Sequence, residues 1–215
     1  MYEERKEIFG NVFTAGLDIK ELYAPATSEA RTREFWRTLS QVLTQIYNSR
    51  LSTVAIINGA CPAGGCVLAL CCDWRIITWN GSMGLNEVAL GMRVPFYWCE
   101  LMARTCGLRA AEDLLLSASM PTSTDLRSLQ LVDEIVEKPE DLMPAGIERL
   151  TKWLKFPSEG YVPTKRHMRG EFAQRWRDGI EWEGQEVWKA INHPATIASL
   201  DQVMKRLSGG AKSKL

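Results

Sequence analysis

The segment from Ile56 to Leu90 holds the residue types that proton-transfer chemistry needs. Pro62-Ala63-Gly64-Gly65 is a tight glycine turn, and Gly84-Leu85-Asn86-Glu87 ends in a single carboxylate. A turn that opens a helix leaves the first backbone N–H groups without intrahelical partners, at the positive end of the helix dipole. Such groups can face a developing negative charge. The neighbours of Glu87 include Met83, Leu85, Val88, Leu90 and Phe96, an apolar set that predicts a partly desolvated carboxyl with a raised pKa. A carboxylate of that kind is a stronger proton acceptor. Just after the glycines the chain carries Val67 rather than a second acidic residue. One proton-moving group beside a candidate anion hole favours shifting a proton over adding water.

A third stretch, Phe13-Thr14-Ala15-Gly16-Leu17-Asp18-Ile19, sets a small-residue turn between apolar positions, which makes the N–H of Ala15 a second candidate donor. Each feature also has a plainer reading. The glycines would serve close packing of helix on strand, the Ala15 turn would be an ordinary loop, and Glu87 would be a surface glutamate capping a helix. His167 and His193 form no nucleophile–base pattern, and without a serine nucleophile elbow hydrolase chemistry has no support.

These residues need elements to hold them. Residues 53–57 are a β-branched run ended by Asn58-Gly59 and predict a buried strand. Residues 66–72 are apolar all round, as in a fully buried helix. Residues 74–79 predict a second strand, closed by Asn80-Gly81. Ahead of the first strand, residues 28–49 predict a helix whose apolar face is Phe35, Leu39, Val42, Leu43 and Ile46. Downstream come a helix over 108–117, a strand-like segment over 129–136, and helical segments over 144–154, 169–179, 183–191 and 195–207. Strands alternating with helices imply an α/β fold with a mostly helical carboxyl third.

Composition narrows the partners. Among 215 residues, 46% are apolar and 24% charged, with zero formal net charge, which gives no support to a nucleic-acid or membrane-surface partner. No apolar run approaches the roughly 18 residues of a membrane span. The six cysteines, at 61, 66, 71, 72, 99 and 106, read as small buried hydrophobes in a reducing compartment, and no metal site is expected from them. The amino end, Met1 to Lys6, has no apolar core of a signal peptide and no transit-peptide character. The chain finishes Ser213-Lys214-Leu215, a tripeptide read by the peroxisomal import receptor, so a peroxisome or related organelle is expected, with the mitochondrion as the alternative.

The ordered motifs resemble the crotonase (enoyl-CoA hydratase/isomerase) superfamily. Residues 13–19 are similar to its A-G-x-D loop. Residues 55–66 are similar to its N-G-x-x-x-G-G-G turn, and Cys72-Asp73-Trp74-Arg75-Ile76 to the C-D-x-R-I strand that follows. With Gly84 to Gly91, the likeness is strongest to the mitochondrial-type Δ3,Δ2-enoyl-CoA isomerases, over about residues 13–207. The resemblance implies a ββα spiral core over 1–156, with its amino-terminal strands truncated. A helical trimerisation region over 157–207 and a flexible tail over 208–215 would follow. It implies an oxyanion hole from the N–H groups of Ala15 and Gly64, and Glu87 as the catalytic carboxylate. Ala15, Gly16, Leu17, Asp18, Ile19, Gly64 and Asn86 would line an acyl-CoA site. No cofactor is implied, since coenzyme A belongs to the substrate, and the assembly would be a homotrimer or hexamer. The implied reaction converts 3-enoyl-CoA to 2-trans-enoyl-CoA, Glu87 carrying a proton from C2 to C4. Hydratases of the superfamily have a second glutamate where Val67 stands, which argues against hydration. The alternatives are an enoyl-CoA hydratase, a dienoyl-CoA isomerase, or a shortened, catalytically silent subunit.

Overall fold

The computed structural model describes residues 10–211, with side chains as far as Arg206. The charged run at residues 3–7 and the terminal Ser213, Lys214 and Leu215 lie outside the described residues. The loop at Thr14–Leu17 leads into α1 (Ile19–Leu22), which starts where the Asp18 carboxylate accepts from the Lys20 N–H at 2.9 Å. A short 3-10 turn, Ala24–Ala26, precedes α2 (Glu29–Tyr47), capped by the Ser28 hydroxyl. Next come β1 (Val54–Ile57), β2 (Ala60–Pro62), α3 (Gly64–Cys71), β3 (Trp74–Thr78) and β4 (Ser82–Gly84). A 3-10 turn, Glu87–Leu90, leads to α4 (Phe96–Cys106), α5 (Leu108–Leu116) and α6 (Ser123–Ser128). The chain continues through β5 (Glu134–Val136), α7 (Leu142–Trp153), α8 (Ser158–Ile191) and α9 (Pro194–Ala211).

Two small parallel sheets result. One has the order β1-β3-β5, with Ile56 opposite Ile76 and Ile77 opposite Ile135; the other pairs β2 with β4, Cys61 opposite Met83. Parallel neighbours need a crossover, and α3 supplies it between β1 and β3. The crossover is enclosed: Cys66, Val67, Ala69, Leu70 and Cys71 are all buried, as its unbroken apolar composition predicts. On its amino side the chain runs along β2, where Phe13 N–H donates to the Ala60 carbonyl at 2.9 Å.

Asp73 and Arg75 turn out to be structural. Asp73 sits behind α3 and accepts from Lys165 at 2.7 Å and Arg169 at 2.8 Å, both on α8, and from the Thr53 N–H at 2.8 Å. Arg75 pairs with Asp133 at 2.9 Å and donates to the Leu131 carbonyl at 2.8 Å. One pair ties α8 to the β1–β3 end of the sheet, and the other ties the approach to β5.

Several expectations shift. The buried stripe of α2 is Thr32, Trp36, Ser40, Leu43, Thr44 and Tyr47, while Val42 is 46% exposed. Small hydroxyl residues make up half of that stripe, and Thr44 satisfies its hydroxyl on the Ser40 carbonyl at 2.8 Å. The two helical segments expected over 169–179 and 183–191 are one 34-residue helix, α8. Gly179 sits inside it because an added Cβ would stand 2.0 Å from the Tyr97 hydroxyl. The strand over 129–136 contracts to β5, since Gln130 has a φ of +61° and breaks the extended run. Helix α4, which the sequence reading left unassigned, packs Tyr97, Trp98, Leu101 and Met102 inward. Finally, α9 carries residues 208–211 in helix rather than in the expected tail, continuing a helix whose packed turns already offset nucleation.

Candidate active site

A cavity of about 710 Å³ opens between the 62–64 turn, the Glu87 turn, α4 and the last two helices. Its wall is largely apolar and includes Trp36, Trp98, Trp182, Ile191, Leu200 and Val203. Of the residues expected to form the site, Ala15, Leu17, Ile19, Asn86 and Glu87 line this cavity. Gly16, Asp18 and Gly64 do not. Asp18 is occupied in capping α1, Gly16 turns the loop with a φ of +96°, and Gly64 is represented by its neighbour Ala63.

The glycine turn has a definite local construction. Ala63 has φ +51° and ψ −125°, a conformation that favours glycine, and it is held there by its N–H donating to the Gly84 carbonyl at 2.8 Å. Helix α3 starts at the next residue. Among the described residues, neither the Gly64 N–H nor the Ala15 N–H donates to a protein acceptor. The two loops are in contact: a Cβ on Gly64 would lie 2.6 Å from Leu17 Cδ2, and one on Gly16 would lie 3.4 Å from the Ala63 Cβ. A side chain at 64 would have to displace the Leu17 side chain, so glycine here also serves the approach of the Ala15–Leu17 loop, which the motif alone could not distinguish from an anion-binding role.

Glu87 opens its 3-10 turn and is 5% exposed, with both carboxyl oxygens unbonded among the described residues. Burial pushes its carboxyl up to about 7, partly offset by its own backbone N–H. The groups beside it are apolar or weakly polar. The thiol of Cys99, which also lines the cavity, is itself raised to about 11, first by burial and then by the Glu87 charge. The expected neighbours Val88 and Phe96 contribute less, being 41% and 52% exposed. Val67, at the position after the glycines, is wholly buried in the main core and does not line the cavity.

Two further carboxylates line the same cavity and were not foreseen: Glu186, paired with Arg93 and Lys189, and Glu183. Glu183 of α8 is buried, and it accepts from Trp36 Nε1 at 3.0 Å and from the Tyr97 N–H at 3.0 Å. Burial raises its pKa, and these donors pull it back. Unlike Glu87 it has donors on both oxygens, and it tethers α8 to α2 and to the start of α4. Its partners lie 147 and 86 residues away in sequence, so no local pattern could flag it. Among the described residues there is no group of three or more histidine, cysteine or acidic side chains arranged to hold a metal ion. No helix there is long and apolar enough to cross a membrane.

The site thus holds one buried, unbonded carboxylate in the wall of a largely apolar cavity, with two unbonded N–H groups on the adjoining loops, and comparison with known proteins identifies the family. Residues 8–206 match the enoyl-CoA hydratase/isomerase family. The chain is 34% identical over 199 residues to mitochondrial enoyl-CoA delta isomerase 1 of Mus musculus, covering 91% of this chain and 68% of that protein. It is also 34% identical over 132 residues to a crotonyl-CoA hydratase of Syntrophomonas wolfei, covering 61% of this chain and 50% of the hydratase. The crystal structure of human mitochondrial delta3-delta2-enoyl-CoA isomerase superposes with a TM-score of 0.87 at 31% identity, over 93% of this chain and 77% of that one. The chain has the crotonase fold and belongs to the enoyl-CoA hydratase/isomerase family.

Proposed function

We propose that this chain is an enoyl-CoA isomerase that moves the double bond of a 3-enoyl-CoA into conjugation with its thioester. The observation that carries the reading is Glu87: a single buried carboxylate with unbonded oxygens at the cavity wall. By the family resemblance, the position of the hydratases' second glutamate is Val67. In this reading Glu87 takes a proton from C2. The C2–H electron pair moves into the dienolate, whose charge rests on the thioester oxygen. The unbonded N–H groups of Ala15 and Gly64 are the donors that stabilise that oxygen, each on the order of 3 kcal/mol in the transition state. Glu87 then returns the proton to C4, leaving the double bond between C2 and C3. The product is an isomer of the substrate, so no water or cofactor enters the balance.

Glu183 is unsuited to the proton-moving role, because its oxygens are already held by Trp36 and Tyr97. The apolar wall fits a fatty acyl chain. The test is a paired assay on the full chain with 3-enoyl-CoA and 2-enoyl-CoA. Isomerisation without hydration is expected, and Glu87→Gln is expected to lower turnover on the order of a thousandfold. Unchanged turnover in that variant, or hydration faster than isomerisation, would overturn the reading.

A further inference from the structure

The base and the anion-facing loop sit on different elements, and one helix is packed against both. Thr196, in the first turn of α9, is 1% exposed, and its hydroxyl donates to the Gly91 carbonyl at 3.0 Å. Gly91 closes the 3-10 turn that Glu87 opens, with a φ of +69° suited to glycine. The Gly91 N–H donates to the Val88 carbonyl at 3.0 Å, and the Met92 N–H to the Glu87 carbonyl at 3.1 Å. One turn further along α9, Ser199 Oγ would lie 3.6 Å from a Cβ placed on Gly91. The carboxylate turn therefore rests on α9 through a hydrogen bond, with Ser199 Oγ facing the bare Cα of Gly91.

The same helix reaches the other half of the site. Leu200 is wholly buried and joins Ala24, Met92 and Ile191 in a small core distinct from the main one. Ile19 and Leu22 of α1 pack on that core, and α1 directly continues the Ala15–Leu17 loop. The Tyr23 hydroxyl also reaches Asp201 of α9 at 3.5 Å. Leu200 and Val203 complete the link by lining the cavity.

We infer that α9 is a positioning clamp: through the Thr196–Gly91 hydrogen bond and the Leu200 core it fixes the Glu87 turn relative to the Ala15 loop. Thr196 is then a positioning residue, acting on the reaction through the placement of Glu87. The inference rests on the isomerase reading for its kinetic consequence. Its physical basis is general: proton transfer is sensitive to displacements of an ångström, even from residues outside the chemistry.

The experiment compares Thr196→Val, which keeps the shape and removes the donor, with Thr196→Ser, which restores the donor. Both are made in the full chain, with circular dichroism to check folding. In the Val variant kcat for 3-enoyl-CoA is expected to fall about tenfold with KM within about twofold, and in the Ser variant kcat stays within about twofold of the parent. In parallel, a carboxyl carbon NMR titration of Glu87 without substrate should show a displaced midpoint in the Val variant and the parent midpoint in the Ser variant. An unchanged kcat in Thr196→Val, or an equal loss in both variants, overturns the clamp. If the parent chain fails to isomerise, the functional reading falls, and the NMR titration still decides the clamp: an unmoved Glu87 midpoint in Thr196→Val overturns it. Should the Val variant fail to fold, Thr196→Ala is read in the same way.

Discussion

At the scale of the residue, Glu87 links activity to stability through one proton. Its folded carboxyl titrates near 7 against an ordinary value of 4.5, because burial penalises the charged form. Between those two values the folded chain holds a proton that the unfolded chain releases. Stability contributed by this group is therefore full below about pH 4.5, falls as pH rises through 7, and stays lost above it. The gap amounts to about 3 kcal/mol. Glu87→Gln should thus raise the denaturant midpoint at pH 8 and leave it nearly unchanged at pH 4, while the parent kcat/KM for 3-enoyl-CoA rises with pH through about 7. A midpoint in Glu87→Gln that falls short of the parent at pH 8 would show that the carboxylate is better solvated than its burial indicates. The sequence foretold a desolvated carboxyl here, and its apolar neighbours were a partial guide. Met83 and Leu85 are buried and Leu90 lines the cavity, whereas Val88 and Phe96 are 41% and 52% exposed. Glu183 was illegible for the converse reason, since all that distinguishes it lies on helices far away in the chain.

Elements were legible where a run was apolar on all sides or closed by a glycine pair, as with β1, α3 and β3. They were illegible where tertiary packing selects the face. The buried stripe of α2 contains Ser40 and Thr44 while Val42 is half-exposed, although hydropathy ranks Val42 above both. The length of α8 was hidden by Gly179, which looks like a break and is in fact a clearance for Tyr97. Beyond its apolar residues in the main core, α8 is tied to the end of the sheet by charge. Lys165 is 8% exposed and shares Asp73 with Arg169, and its own pKa is lowered, first by burial. Removing one partner of a buried pair strands the other, at a cost of about 3–5 kcal/mol. Asp73→Asn should therefore lower the unfolding free energy by about that amount in a chemical denaturation curve. A loss within about 0.5 kcal/mol, the range of ordinary surface substitutions, would mean that water reaches Lys165 and Arg169.

At the scale of the whole molecule, the cavity draws on residues from Ala15 to Val203, nearly the full described length. Its geometry is thus a property of the assembled fold, with the main core behind Glu87 and the small Leu200 core beneath the Ala15 loop. The three cavity tryptophans have a consequence for observation. Trp36 and Trp98 stack with ring centres 5.3 Å apart, and the half-exposed Trp182 packs edge-on against Phe96. The other five indoles do not line the cavity: Trp74 and Trp153 lie beside Arg149, Trp79 faces solvent, Trp176 stacks on Tyr97 in the main core, and Trp188 packs on the Leu200 core. The protein therefore carries its own optical gauge of occupancy. Filling the cavity with an acyl chain should change intrinsic fluorescence, free coenzyme A should change it less, and Trp182→Phe should remove a large part of the response. A signal that is the same for coenzyme A and for acyl-CoA would place the acyl chain outside this wall. The emission that reports binding needs no label, since the light comes from the surface that the ligand covers.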